Sequence, residues 1–355
     1  MKYAVGYQLA GASGERFVDL VRDYREHLDE VYFPWVHGPS GRASLSESRG
    51  LTDWSAQANL EADLVALRQM GLRLNLLLNA NCYGGKAVSR YLENQVGSLL
   101  THLHDQVGGV DTVTTASLAV ARTVRHHFPA IDVRASANLR IGTAQAMQYV
   151  AGLFTSFCVQ RDVQRSLVAV GALRRWADAH GKRLFLLANS GCLRNCPGQT
   201  FHDNLVAHEV EIDETANIPG WTPHVCWHLY GQRQNWPAVL QSTWIRPEDV
   251  PRYEGLVDGI KLATRMHANP RLVIQAYSSG RYRGNLLDLF EPGFGPAFAP
   301  FILDSTALPA DWFEHTSSCS GACVECSYCA NVLAEVLLNT QPEAADDVPE
   351  MPQTP

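Results

Sequence analysis

The chain has 355 residues, of which 46% are hydrophobic, so it can bury a full core in one large α/β domain or in two smaller ones. Its formal net charge of −7 gives no broadly basic face for a nucleic-acid backbone, although a local basic patch is compatible with it. The N-terminal segment lacks the apolar core of a secretory signal, and no run reaches the roughly 18 apolar residues of a membrane span, so the sequence predicts a soluble, cytoplasmic protein.

Eight apolar runs that look like buried parallel strands alternate with stretches of helical period, which indicates repeated βα units. The predicted strands are Tyr3–Leu9, Glu30–Trp35, Arg73–Ala80, Thr112–Ala116, Asp132–Ala137, Thr155–Gln160, Arg183–Asn189 and Gly259–Thr264. Among the helices between them, Trp54–Met70 and Asp162–His180 have the clearest apolar faces. Gly71 and Gly181 are expected to end these two helices.

Eight βα units over roughly 265 residues match the size of a closed (β/α)8 barrel, whose chemistry lies on the loops after the C-terminal ends of the strands. The sequence therefore predicts an α/β fold, with a TIM-like barrel over residues 1–285 and a Cys-rich C-terminal extension over 286–339. A doubly wound open sheet is the alternative, but no Gly-x-Gly-x-x-Gly turn follows the first strand. Residues 198–249 are irregular and aromatic, which indicates an insertion over the mouth, and the acidic tail 340–355 is expected to be disordered.

Nine cysteines in a chain without a secretory signal point to metal binding or catalysis rather than to disulfides. The densest group contains Cys319, Cys323, Cys326 and Cys329. Four thiolates this close are typical of tetrahedral zinc or of a cubane cluster, and we favour a 4Fe-4S cluster over zinc. The first three also have the spacing of the radical S-adenosylmethionine motif, but their position beyond the last strand argues against that assignment.

A second group of cysteines is expected at the barrel mouth. Cys192 and Cys196 follow the seventh predicted strand, Cys226 lies in the insertion, and Cys82 follows the third predicted strand. Because barrel closure brings the C-terminal strand ends to one rim, these four thiols are predicted to share a cluster. Cys158 lies within a strand and is expected to be a small core residue.

Several polar residues near these cysteines are candidates for catalysis. Four histidines could bind metal or act as an acid or base, and we favour the first of them: His202, His208, His224 and His228. Arg161 and Asp162 could pair with each other or anchor a substrate carboxylate, while Asp162 also suits the cap of the next helix. Lys261 and Arg265 flank the last strand end, where they could hold an anionic group or form a structural ion pair.

Common hydrolytic and nucleotide motifs are absent from the sequence. There is no Ser-His-Asp spacing, no His-Glu-x-x-His and no phosphate-binding loop, so serine, zinc-protease and nucleotide mechanisms lack support.

Three segments of the chain resemble, in order and spacing, segments of peptidase family U32. DVRASANLRIGTAQA is similar to a strand and helix of that family, SFCVQRDV resembles its strand followed by Arg-Glu-Leu, and DGIKLATRM resembles its Lys-Ile-Glu-Gly-Arg-Met segment. The resemblance covers residues 1–285. It implies a barrel-like fold and, for several members, a 4Fe-4S cluster held by four cysteines.

The family includes collagenase-like peptidases, oxygen-independent hydroxylation factors for ubiquinone synthesis, and proteins that hydroxylate bases of transfer or ribosomal RNA. NSGCLRNCPGQTFHDN looks like the region that carries cluster cysteines in the ubiquinone-type members, which implies Cys192 and Cys196 as ligands. The family glutamate is replaced by Asp162, its Glu-Gly pair is replaced by Ala263 and Thr264, and the Ser-Gly-Arg-Cys turn of the peptidase-like branch is absent. The last two departures weaken transfer of the peptidase and RNA roles.

The sequence thus predicts an iron–sulfur enzyme, with one 4Fe-4S cluster or two, that carries out oxygen-independent redox chemistry. Hydroxylation of a small molecule or of a modified macromolecule is the favoured reaction. The alternatives are a U32-type peptidase and a non-catalytic, cluster-bearing partner of another U32-like subunit, and zinc remains the alternative metal at the C-terminal cysteines.

Overall fold

Eight parallel strands form a closed barrel, in which each strand pairs with the next along the chain and the last pairs with the first. The computed structural model describes residues 1–9, 14–36, 38, 40–41, 45 and 53–341, so the predicted acidic tail lies almost wholly outside the described residues. The barrel strands are β1 (Tyr3–Gly6), β2 (Leu28–Pro34), β3 (Arg73–Leu78), β4 (Thr112–Thr115), β5 (Asp132–Ala135), β6 (Ser156–Cys158), β7 (Arg183–Leu187) and β8 (Gly259–Leu262).

All eight predicted strands are confirmed, and barrel closure excludes the open-sheet alternative. Each strand ends slightly before the apolar run that predicted it, because the last residues of each run leave the ladder and enter the mouth loops.

Helices α1 to α6 form the crossovers after the first six strands. They are α1 (Phe17–Asp23), α2 (Trp54–Gln69), α3 (Arg90–Val107), α4 (Leu118–His127), α5 (Ala144–Tyr149) and α6 (Leu167–Ala179). Gly71 and Gly181 follow α2 and α6 with φ angles of +76° and +60°, a left-handed conformation that glycine adopts without strain. Both predicted helix ends are therefore confirmed.

The predicted start of the helix before β7 was wrong. Arg161–Val163 forms a separate 3-10 turn, and α6 begins only at Leu167. The Oγ of Ser166 accepts a hydrogen bond from the Ala169 N–H and so caps this helix. Asp162 therefore does not cap α6, and its carboxylate accepts hydrogen bonds from other residues.

The remaining elements lie between β7 and β8 and after β8. They are α7 (Gln199–Ala207), α8 (Glu209–Asp213), α9 (Val225–Tyr230), α10 (Ala238–Gln241), α11 (Pro270–Ser279), α12 (Gly295–Phe298), β9 (Phe301–Leu303), α13 (Trp312–Ser317), α14 (Tyr328–Val336) and β10 (Leu337–Asn339). Strands β9 and β10 pair antiparallel. Further 3-10 turns cover Arg25–His27, Gly84–Lys86, Ala137–Leu139, Arg233–Asn235, Pro247–Tyr253, Leu286–Leu289 and Ser305–Ala307.

The insertion and the C-terminal extension share a second hydrophobic core beside the barrel. Trp244 of the insertion stacks on Trp312 of the extension with ring centroids 5.6 Å apart, and Trp236 stacks on Phe298 at 4.4 Å. Aromatic contacts of this kind bury large apolar areas. The two segments therefore support each other, although the barrel strand β8 lies between them in sequence.

Helix α7 crosses the barrel mouth. Its Asp203 accepts a hydrogen bond of 3.4 Å from Asn81, which lies in the loop after β3, whereas α7 itself follows β7. Strands β3 and β7 are four places apart in a ring of eight and so lie on opposite sides of the barrel. The insertion therefore covers part of the face on which barrel enzymes carry their chemistry.

A buried ion pair fills the middle of the barrel. Two guanidinium nitrogens of Arg134 on β5 donate to the two carboxylate oxygens of Glu30 on β2, at 2.7 and 2.9 Å. Arg134 also donates to Ser156 Oγ at 3.2 Å and lies 3.6 Å from the ring centre of Phe185. Burial would raise the pKa of Glu30, but Arg134 and a hydrogen bond from Asn75 lower it below its ordinary value, so the pair is ionised.

Removing one member of this pair should strongly destabilise the fold. We expect Arg134→Met to lower the free energy of unfolding by about 3–5 kcal/mol, because it leaves the Glu30 carboxylate buried without a counter-charge. Urea unfolding followed by circular dichroism measures the change. Since the folded-state pKa of Glu30 is lowered, its stabilising contribution is present above the unfolded pKa and is lost as the pH falls through the folded value.

Two controls separate the missing counter-charge from the missing side chain. The double variant Glu30→Gln/Arg134→Met removes both charges and should recover a large part of the stability. Asp19→Ala breaks the exposed pair of Asp19 and Arg22 and should cost at most about 1 kcal/mol. A cost for Arg134→Met no larger than that of Asp19→Ala would contradict the prediction.

Candidate functional site

A tight loop after β7 carries the first two cysteines of the mouth group. Asn195, between Cys192 and Cys196, has a φ of +54°, and its N–H donates to Asp162 Oδ1 at 2.7 Å. The other carboxylate oxygen of Asp162 accepts from Gln160 Nε2 at 2.6 Å. Asp162 is thus occupied by the cysteine loop and forms no ion pair with its neighbour Arg161 among the described contacts.

Three of the predicted mouth cysteines come together. Burial, followed by the adjacent Cys192 and Cys196, raises the pKa of the Cys226 thiol to about 11. Burial and Cys192 also raise the pKa of Cys196, while Arg161 and Arg140 act in the opposite direction. The three thiols, from the loop after β7 and from α9, are therefore near enough to act on one another's pKa, and two guanidinium groups act on Cys196.

Two of the candidate histidines are in contact with each other. The rings of His202 on α7 and His224, just before α9, are 4.6 Å apart between centroids. The Nδ1 atom of His224 is buried and has no hydrogen-bond partner among the described residues. His228 is occupied, because its Nε2 lies 2.8 Å from the Thr222 carbonyl oxygen.

The fourth predicted mouth cysteine, Cys82, lies beside His208 rather than in the group of three. A hydrogen bond with His208 is the largest influence on its thiol and lowers its pKa, and the Gly84 N–H adds a second hydrogen bond to Sγ at 3.4 Å. The same interaction raises the pKa of His208, together with Glu211. Cys82 as a cluster ligand stays a prediction, and metal binding there would have to replace the His208 contact.

The four C-terminal cysteines line one cavity of about 130 Å³, together with side chains from the barrel mouth. Burial raises the pKa of Cys329 to about 11, and the other three cysteines act in the same direction. The Gly321 N–H donates to Cys319 Sγ at 3.3 Å. Backbone N–H groups directed at sulfur are a feature of sites that hold thiolate-bound iron.

Arg194 connects the two cysteine groups. It lies within the loop between Cys192 and Cys196, yet it also lines the cavity of the C-terminal cysteines. A Cβ atom at Gly321 would lie 3.2 Å from its guanidinium nitrogens, so the absence of a side chain at 321 leaves room for it. Within the described part of the chain, the buried Nε of Arg194 has no hydrogen-bond partner.

The donor set at both groups suits a thiolate-bound metal cluster. Each group combines several thiols with nearby guanidinium groups, which can offset thiolate charge. Within the part of the chain that the structure describes, no three His, Cys, Asp or Glu side chains are arranged to hold a single metal ion.

Lys261 and Arg265, the candidates near the last strand, have different partners. The Nζ of Lys261 on β8 lies 3.7 Å from the ring centre of Tyr32, inside the barrel. Arg265 is buried, and its Nη1 donates to Ser40 Oγ at 3.3 Å. Arg161 is also buried, and its carbonyl oxygen accepts from the Thr243 hydroxyl.

The prediction missed the arginines that surround the thiols. Arg165 is fully enclosed, donates to the carbonyls of Leu240 and Trp244, and has a pKa lowered by burial to about 10. Its position early in a predicted helix gave no signal of this role. The position of Arg194 did give a sequence signal, because this arginine lies inside the Cys-x-x-x-Cys spacer.

Known proteins resemble this chain in sequence and in fold. No family model matches it. It is 26% identical over 316 residues to the uncharacterized protease MJ1657 of Methanocaldococcus jannaschii, an alignment that covers 87% of this chain and 88% of that protein. Its fold matches the U32 peptidase Mk0906 with a TM-score of 0.53 and 16% identity, over 74% of this chain and 92% of that one. The chain is thus similar in fold to a U32 peptidase.

The TIM-barrel fold predicted from the sequence is thus confirmed, and both relatives are in keeping with the resemblance to the U32 family. In addition, the described helices include none with the length and apolar character that a membrane crossing requires.

The contact between Cys82 and His208 should make Cys82 reactive in metal-free protein. Because the hydrogen bonds of His208 and Gly84 favour its thiolate, iodoacetamide should alkylate Cys82 at neutral pH more slowly once His208→Ala is introduced. The expected loss is on the order of tenfold for each unit by which the pKa rises. Mass spectrometry of tryptic peptides gives the rate, and the exposed Cys326 is an internal control. Equal rates at Cys82 in both proteins would contradict the assignment.

Proposed function

We propose that this protein is an iron–sulfur enzyme that carries out oxygen-independent redox chemistry at the barrel mouth, with hydroxylation as the favoured reaction. The observation that carries the proposal is the convergence of Cys192, Cys196 and Cys226 beside Arg161 and Arg140. Thiols gathered at a strand-end face, under a covering helix, suit metal-based chemistry in a barrel enzyme.

The proposal assigns separate roles to the residues of the mouth: binding the cluster, positioning its loop and transferring a proton. Cys192, Cys196 and Cys226 would hold a 4Fe-4S cluster, which supplies electron transfer when it is bound. Asp162 holds the Cys192–Cys196 loop through the Asn195 N–H and is therefore a positioning residue. His202, on the helix that crosses the mouth, is the candidate to donate or accept a proton at the substrate.

The C-terminal cysteines support a second cluster in the same protein. Cys319, Cys323, Cys326 and Cys329 line a common cavity and supply four thiolates, the number that a cubane requires. Zinc is the alternative occupant, and metal analysis distinguishes the two.

Hydroxylation without O2 requires another source of oxygen. With water as the source, a substrate C–H bond and H2O give C–OH, two protons and two electrons, and an electron acceptor outside the chain must take those electrons. With an organic oxygen donor, the donor loses its oxygen atom and the electrons remain balanced between the two substrates. The proposed substrate is a small molecule or a modified macromolecule.

A peptidase function is the second candidate, favoured by the names of the two relatives. Peptide hydrolysis needs an activated nucleophile beside a base and an oxyanion stabiliser. The Asp162 carboxylate, at the end of the sixth strand, is instead held by the Cys192–Cys196 loop through the Asn195 N–H. This arrangement supports the redox proposal over the peptidase.

Metal content tests the two cysteine groups separately. Anaerobically isolated protein should contain iron and sulfide and absorb broadly near about 400 nm, as thiolate-bound clusters do. Cys192→Ser/Cys196→Ser should remove one part of the iron, and Cys323→Ser/Cys326→Ser should remove the other. Cys158→Ser, which changes a buried thiol outside both groups, is the matched control and should keep all of it. Stoichiometric zinc without sulfide would reject the cluster proposal.

Reaction class is tested with a folded variant that lacks the mouth cluster. We expect wild-type protein to be reduced by dithionite and reoxidised by ferricyanide under anaerobic conditions. The Cys192→Ala variant should lose the share of this redox response that comes from the proposed mouth cluster. Gelatin and short peptides are assayed in parallel, with circular dichroism to verify folding. Cleavage of these substrates by Cys192→Ala at the wild-type rate would favour the peptidase instead.

A further inference from the structure

Two positively charged side chains line the cavity of the C-terminal cysteines without a carboxylate partner. Arg165 is buried, and among the described residues its guanidinium donates only to the backbone carbonyls of Leu240 and Trp244. The side chain of Arg194 has neither an ion pair nor a hydrogen bond with any described residue. Enclosed charges are unfavourable until an opposite charge lies beside them, so this cavity suits an anion.

The carboxylate in the lining does not supply that opposite charge. Asp162 is the only acidic residue among the described residues that line the cavity. Its oxygens accept hydrogen bonds from the Asn195 N–H and from Gln160 Nε2, at 2.7 and 2.6 Å, and form no ion pair with either arginine in the described part of the chain. Arg165 keeps its charge at neutral pH, because burial and Arg194 lower its pKa only to about 10. The excess charge of the lining is therefore positive.

Both arginines lie against firm supports at the cavity wall. The guanidinium nitrogens of Arg194 lie 3.2 Å from the position that a Cβ atom would take at Gly321, inside the cysteine segment. The guanidinium carbon of Arg165 lies 4.8 and 5.2 Å from the ring centres of Trp244 and Trp312. Aromatic faces attract a guanidinium group at such distances. The two positive charges are thus fixed beside the thiols.

A metal centre held by four thiolates is an anion. One divalent metal ion with four thiolates carries two net negative charges, and so does an oxidised 4Fe-4S cluster whose core carries two positive charges. Reduction adds one electron and makes the cluster more negative. Fixed cations at the wall stabilise both states, and they stabilise the reduced state more because its charge is larger.

We propose that Arg165 and Arg194 are the counter-cations of the second cluster and raise its reduction potential. The inference rests on the proposed function, since it requires a cluster at the C-terminal cysteines. It deepens that proposal because it assigns the charge balance of the cluster to two residues that are not ligands. Both are positioning residues, which act on the electron equilibrium through their charge. The one electron of the reduction comes from dithionite in the experiment below.

A redox titration of the second cluster alone tests this role. Cys192→Ser/Cys196→Ser removes the proposed mouth cluster from the full-length protein, and Arg194→Gln is then added to remove one cation. At a fixed solution potential, the ratio of reduced to oxidised cluster should fall about tenfold, which corresponds to a midpoint potential lower by about 59 mV for one electron. Electron paramagnetic resonance of the reduced cluster gives the ratio. Only the loaded fraction is observed, so a lower yield of folded protein does not shift the midpoint.

Matched variants in the same background separate charge from shape. Arg194→Lys keeps the positive charge and should restore most of the potential. Arg165→Gln should lower the midpoint in the same direction as Arg194→Gln. Arg122→Gln removes an exposed arginine of α4, which lies 3.7 Å from Glu93, and should leave the midpoint unchanged.

The possible failures are distinguishable. If the double serine variant retains iron and sulfide and Arg194→Gln moves the midpoint no more than Arg122→Gln does, the charge balance is overturned and the second cluster stands. Equal shifts in Arg194→Gln and Arg194→Lys would also overturn it, because only one of the two removes a charge. A double serine variant that holds no iron, or holds zinc without sulfide, would reject the second cluster itself and the inference with it.

Discussion

The Glu30–Arg134 pair is the constraint on which the barrel interior depends. A guanidinium group with two hydrogen bonds to one carboxylate joins β2 to β5 across the barrel, and the Phe185 ring packs against it from β7. Once two charges are buried there, the neighbouring interior positions must supply polar partners, and Asn75 and Ser156 do so. This layer leaves the mouth-side half of the interior to Lys261 and Tyr32.

The mouth is built by segments that are distant in sequence. Asp162, after β6, holds the loop that carries Cys192 and Cys196, while the second hydrophobic core fixes the C-terminal cysteines beside that loop. Neither cysteine group is formed by the barrel strands alone. The proposed metal chemistry therefore depends on the packing between the insertion and the extension, and substitutions such as Trp244→Ala should disturb it without touching a thiol.

The barrel was predictable because parallel strands buried on both faces leave apolar runs of even spacing, and each run corresponds to a strand. The ion pair inside the barrel could not be predicted from the sequence in the same way. Glu30 and Arg134 lie in predicted strands, but their partnership joins residues that are 104 positions apart, which no local pattern records. Cys192 and Cys196 were predictable at the mouth because they follow the seventh strand. The approach of Cys226 to them and the pairing of Cys82 with His208 both depend on the path of the insertion, which no local pattern records. Short helices such as α12 and strands β9 and β10 carry too few residues for a periodic signal.

Arg194 sets an upper limit on the separation of the two cysteine groups. Its backbone lies in the mouth loop and its guanidinium reaches the cavity of the C-terminal cysteines, so one side chain spans the gap. If both groups hold clusters as proposed, electrons can tunnel between them inside one polypeptide. The protein could then hold two electrons, one at each group of cysteines.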